Sequence, residues 1–219
     1  MSAARYARVP AALTALALAA LVAACGGPEG TTVHDEVEWA DGAPPSGDPE
    51  SDPRVEAVRR YDTLLKASTN ELDLSDPRLA EVTTPEWLDI QVDGVRRDVE
   101  AGRLRLWAGP KEMTVLDVSS DGDEAMVLMC SRLPASWVWD DDTSAPEEWS
   151  SEPGSFEYDT FTLVQVDDAW LVDVAQRPYG PDTGECDPGP DVPVGTFTTQ
   201  PDLDLLSDAS PDDVVAPSS

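Results

Sequence analysis

Between residues 53 and 102 the apolar positions return every three or four residues. Val55, Val58, Tyr61, Leu64 and Leu65 form one stripe; Trp87, Leu88, Gln91, Val92, Val95 and Val99 form another. This spacing predicts amphipathic helices. Asp52–Pro53, Asp76–Pro77 and Thr84–Pro85 supply start signals. The first residue caps an orphan backbone N–H, and proline lacks the N–H that the first turn leaves unpaired. Gly102 is expected to stop the last helix. Gly94 inside it costs about 1 kcal/mol relative to alanine.

After Gly102 the period shortens to two. Leu104 and Leu106 alternate with arginines, and Met113–Val118 runs into the turn-rich stretch Ser119–Ser120–Asp121–Gly122–Asp123. Ala125–Arg132 returns as the second arm of a hairpin. Phe156–Val166 and Trp170–Gln176 predict another hairpin around Asp167–Asp168–Ala169. Helices first and an antiparallel meander afterwards predict an α+β domain over 53–186, with helices packed on a curved sheet of about five strands.

The flanks carry no such period. Residues 25–52 hold eight acids and no Lys or Arg, and residues 187–219 are likewise acidic and proline-rich. Both are expected to be disordered, because they offer too little apolar surface to offset the entropy of ordering. In the tail, Leu203, Leu205 and Leu206 are either a packing patch or a short exposed motif.

The first 24 residues read differently again. Arg5 and Arg8 precede the nearly all-apolar run Ala11–Ala24, and Gly26–Gly27–Pro28 ends any helix. The run is shorter than the roughly 20 residues a spanning helix needs. It has the parts of an export signal. Val22–Ala23–Ala24–Cys25 resembles the lipobox of bacterial lipoproteins. That resemblance implies acylation of Cys25, cleavage before it, and a protein held by lipid at the outer surface of the plasma membrane. The alternative is ordinary secretion with Cys25 an incidental thiol. One acyl chain anchors marginally, at about 0.8 kcal/mol per buried methylene, whereas two or more hold firmly.

Charge sharpens this picture. With 44 acidic against 14 basic residues the chain carries −30. Phosphate repels such a polyanion, which argues against nucleic-acid binding. Anionic headgroups repel it too, so a lipid anchor is the expected route to a membrane. Cys130 and Cys186 are expected to be oxidised outside the cytosol. Closing a loop of that length contributes roughly 4 kcal/mol on the chain-entropy model. The alternatives are two buried thiols or a metal site; a structural zinc site wants about four Cys/His ligands, and His34 is the only histidine.

A helix, shorter helices and then strands ending in "WLVDVAQRP" are similar to the nuclear transport factor two-like, or cystatin-like, α+β cone. Within it the nearest likeness is to small acidic lipoproteins of high-GC Gram-positive bacteria. Cys130 in "MVLMCSRL" and Cys186 in "GPDTGEC" match the cysteine placement of those proteins. The resemblance implies either a binding module or a cofactor-free isomerase, dehydratase or cyclase.

Catalytic motifs are sparse. His34 lies in the acidic segment ahead of the domain, away from any nucleophile. No metal or cofactor is expected. From Asp140, an EF-hand loop would need Gly and Glu where Ala145 and Ser151 stand. Tyr61, Tyr158 and Asp159 are of the types that the look-alike isomerases use in the cone. Core packing is expected for the tyrosines, and Asp159 is expected on the solvent face because it alternates with Tyr158. The long loop 133–155 displays Trp137, Trp139 and Trp149 among acids and prolines. These rings either form a partner-binding surface or fold back to cover the sheet. The expected function is a non-catalytic domain that binds a protein or a small apolar ligand; the alternative is an enzyme using a buried carboxylate.

Overall fold

In the computed structural model, residues 33–138, 155–176 and 185–217 are described. The capping signals act as expected. Asp52 accepts from the Arg54 backbone N–H at 2.9 Å and starts α1, Pro53–Asn70. Thr84 accepts from the Trp87 N–H at 3.3 Å and starts α2, Pro85–Glu100. Gly102 follows α2 with φ of +64°, a left-handed conformation that glycine adopts without steric cost. The Asp76–Pro77 signal produces only a 3-10 turn, Leu79–Glu81.

The first described strand is β1, Val37–Trp39. Beyond α2 come β2, Arg105–Trp107, β3, Glu112–Asp121, β4, Glu124–Arg132, and β5, Ser136–Val138. Then follow β6, Glu157–Val166, β7, Ala169–Gln176, and β8, Gly195–Phe197. A short α3, Leu205–Asp208, lies near the end. The fold is α+β, but the main sheet has four strands rather than about five, in the order β3-β4-β6-β7, all antiparallel. The strand expected at Leu104–Leu106 pairs instead with β5 in a separate two-stranded sheet. At the β7 edge the turn after the 3-10 segment takes over the unpaired groups: Thr84 N–H donates to Val172 O at 3.0 Å, and Val172 N–H to Val82 O at 2.9 Å.

Both hairpins form. In the second, Asp167 and Asp168 have φ of +47° and +68°, the paired positive values that a tight two-residue hairpin turn requires. The inward face of the sheet is set by parity. Ala125, Val127 and Met129 on β4 stand opposite Leu163, Phe161 and Asp159 on β6. Against this face pack Val55, Val58, Tyr61 and Leu64 of α1 and Leu88, Val92 and Val99 of α2.

The flanks differ most from expectation. Residues 33–52 and 187–217 are not separate from the domain. β1 pairs antiparallel with β8, joining the two acidic segments to each other. Val33 is 1% exposed and Phe197 2%, and both share a small core with Ala67. Phe197 N–H donates to Ala108 O at 2.7 Å. Further on, Val215 N–H donates to Leu72 O and Leu74 N–H to Val215 O, while Leu206 and Val214 enter the main core. Single apolar residues buried on an existing domain hold these segments. Average composition conceals such anchors.

Cys130 on β4 and Cys186 are within disulfide distance, with Cα atoms 5.7 Å apart. The link fixes the start of the C-terminal segment beside β6, where Cys186 N–H also donates to Phe156 O at 3.0 Å.

Candidate functional site

Charge enters the core on the sheet-facing side of α1. Asp62 and Lys66, one helical turn apart, continue the apolar row begun by Val55 and Val58. Both are buried and form an ion pair. The other Asp62 oxygen accepts the Lys111 backbone N–H at 2.7 Å. The Lys111 ammonium in turn reaches Asp159 Oδ2 at 2.6 Å. Ser131 Oγ donates to the same oxygen at 2.5 Å. Lys66 and Lys111 also lie over the rings of Trp107 and Phe161, at 5.2 and 5.6 Å from the centroids.

Asp159 is therefore not on the solvent face. It is 2% exposed. The reason is parity: it lies two and four residues before Phe161 and Leu163, which face the core. Its polar neighbours, Lys111 and Ser131 among them, make its burial tolerable. Burial lowers the Lys66 ammonium to about 8, against the raising effect of Asp62; the Lys111 charge lowers it further. Burial also holds the Tyr61 phenol well above its ordinary range, and its oxygen accepts from Trp87 Nε1 at 2.7 Å.

The remaining expected residues fall in different places. Trp137 is 7% exposed and packs in the main core, opposite Leu106. It is thus a ring folded back over the sheet rather than part of an open binding surface. Trp139, Trp149, Asp140–Asp142 and Cys25 lie outside the described residues. Tyr158 is half-buried on β6, opposite Cys130. His34 is exposed and engaged with Glu71, its backbone N–H donating to Oε1 at 2.7 Å. Among the described residues, no three or more His, Cys, Asp or Glu side chains are grouped to hold a metal ion. No described helix is long and apolar enough to cross a membrane.

Reading the helix and strand stripes separately missed the buried network. Its signal was present: two opposite charges four residues apart inside an apolar row, and an Asp on the same parity as Phe161 and Leu163. Lys111, by contrast, follows a loop and gives no periodic signal.

Several cavities among the described residues adjoin charged groups, and two of them bear on the ion pairs and arginines. One of about 310 Å³ lies between the N- and C-terminal segments, with Trp39, Asp41, Glu50 and Asp191 in its wall. Glu50 there is paired with Arg59. The other, of about 200 Å³, lies between α1, α2 and β2, where Lys66, Arg105 and Trp107 meet Leu65, Val95 and Leu104.

No protein-family model matches the chain, and no curated protein does. Among solved structures, the intermembrane space region of the chloroplast protein ARC6 is similar at 14% identity. That match covers 61% of this chain and 98% of the other, with a TM-score of 0.38. RPA3114, a SEC-C motif containing protein from Rhodopseudomonas palustris, is similar at 18% identity, covering 61% and 95%, with a TM-score of 0.30.

Proposed function

We propose that this chain is an exported lipoprotein, acylated on Cys25, whose α+β domain binds a ligand or partner at the outer surface of the plasma membrane. The observation that carries the binding reading is the closed charge network. Of the four buried aspartates among the described residues, Asp62 and Asp159 are the two that share a network against the sheet, where an acid–base enzyme of this shape would draw on them, and each is matched by a lysine ammonium. A general acid or base instead needs a carboxyl left free to exchange its proton with substrate. The order of helices before an antiparallel sheet supports placing the domain with the nuclear transport factor two-like cones.

The anchor reading rests on the Val22–Cys25 sequence and on where the fold begins. Val33 is buried in the domain. Eight Cα–Cα steps separate it from Cys25, at most about 28 Å of extended chain. The acylated residue would therefore hold the domain close to the headgroups, not at the end of a long tether. The test compares the full chain with Cys25→Ser in a bacterial host that processes lipoproteins. The wild type should sediment with membranes and leave them only with detergent, whereas Cys25→Ser should appear in the medium. Equal release of both would overturn the anchor.

A further inference from the structure

We propose that the cavity between α1, α2 and β2 binds a small organic anion, a carboxylate on a short apolar body, with Arg105 as its charge partner and Gly94 as its open wall. This deepens the binding-domain reading and does not depend on the anchor.

The first observation is a missing pair. The chain has far more acids than bases, and most described arginines are held by a carboxylate. Among the described residues, only Arg97 and Arg105 make no ion pair, and Arg97 donates to the Asp93 carbonyl. Arg105 is exposed at the cavity, its guanidinium 5.4 Å from the centroid of the Trp107 ring. Stacked arginine keeps its fork of donors available, which suits a planar carboxylate. Lys66, already paired with Asp62, lies over the same ring and leaves Arg105 as the unpaired cation of the wall. Asp98, the one acid in the wall, is already near Arg103 at 3.8 Å.

The second observation is Gly94. It sits in the middle of α2, where glycine weakens a helix. Beyond its own helical turn, no heavy atom lies within 4 Å of the position a Cβ would take. Packing therefore does not require glycine there; the space is the cavity itself. Leu65, Val95 and Leu104 supply apolar walls, and the indole of Trp107 closes one side. Their volume suits a body of roughly six to ten heavy atoms, below the usual drug-sized range.

The experiment titrates the full chain with hexanoate and phenylacetate, and with hexylammonium as a probe of matched body and opposite charge. Binding is followed by calorimetry and by NMR of the probe. Saturable binding of the carboxylates, at least tenfold tighter than hexylammonium, is expected. Arg105→Gln should weaken it about tenfold or more. Gly94→Leu should abolish it while the melting temperature holds or rises, because the helix gains a better former. Carboxylate binding no tighter than hexylammonium, or unchanged in Gly94→Leu, would overturn the proposal, as would no saturable binding of either acid. Those results leave the wider binding reading standing. Binding with consumption of the probe would instead sustain the pocket and overturn the non-catalytic reading.

Discussion

Lys111→Met isolates the energetics of the buried network. The substitution keeps the unbranched stem and leaves the backbone bond to Asp62 intact, but removes the ammonium 2.6 Å from Asp159. Asp159 then keeps the Ser131 hydroxyl and its other contacts but loses the Lys111 ammonium. Breaking a buried pair from one side costs about 3–5 kcal/mol, because the remaining charge is stranded away from water. The Lys111 side chain keeps 15% exposure, so we expect the lower end, about 3 kcal/mol. With a urea slope of about 1–3 kcal/mol per molar, the midpoint should fall by roughly 1–3 M. Lys111→Met combined with Asp159→Asn should recover much of that loss, since asparagine still accepts from Ser131 and carries no charge. Urea unfolding of the two single variants and the double variant closes the cycle. Additive losses of under about 1 kcal/mol each would refute the reasoning. They would mean that Asp159 is solvated and free to titrate, which is what the enzymatic reading needs.

Three further outcomes follow from the packing and the charges. Trp137→Ala should cost about 3–5 kcal/mol in chemical unfolding, as for a large core ring; an unchanged midpoint would return that ring to a surface role. Gly109→Ala would set a Cβ 2.2 Å from Gly195 O, so β8 should detach. Limited proteolysis should then cut near residues 195–204 while 53–138 stays protected, and an undisturbed tail would contradict the packing. Between pH 7 and 9.5 the unfolded chain holds the Lys66 proton that the folded chain releases near 8. Stability from this group therefore rises with pH across that window, by about 2 kcal/mol. The raised Tyr61 works the other way only above pH 10, where unfolded tyrosine ionises. Thermal melts of wild type minus Lys66→Met should show the slope, and a flat difference would count against it.

How much of this was readable in the chain depends on whether the signal is local. Asp52–Pro53 and Thr84–Pro85 announce helix starts through contacts within three residues, and both are borne out. Gly122 and the Asp167–Asp168 pair mark hairpins for the same reason. The flanks could not be read this way. Val33 and Phe197 are scattered apolar residues, and Leu206 and Val214 stand in short apolar patches within an acidic tail; each is buried by partners far along the sequence. Asp159 is misplaced when it is set against Tyr158 alone; its shared parity with Phe161 and Leu163 puts it on the core side, and the register with β4 agrees. The charge network spans α1, the loop before β3, β4 and β6, so its members meet only in three dimensions. Arg105 and Gly94 likewise gain meaning only once α1, α2 and β2 surround a common space.

Mass spectrometry of the amino-terminal peptide from membrane-purified protein tests the central claim most directly. The account predicts a peptide that begins at Cys25 and carries the mass of a diacylglycerol on its sulfur. A peptide that begins elsewhere, or a Cys25 without lipid, would contradict it.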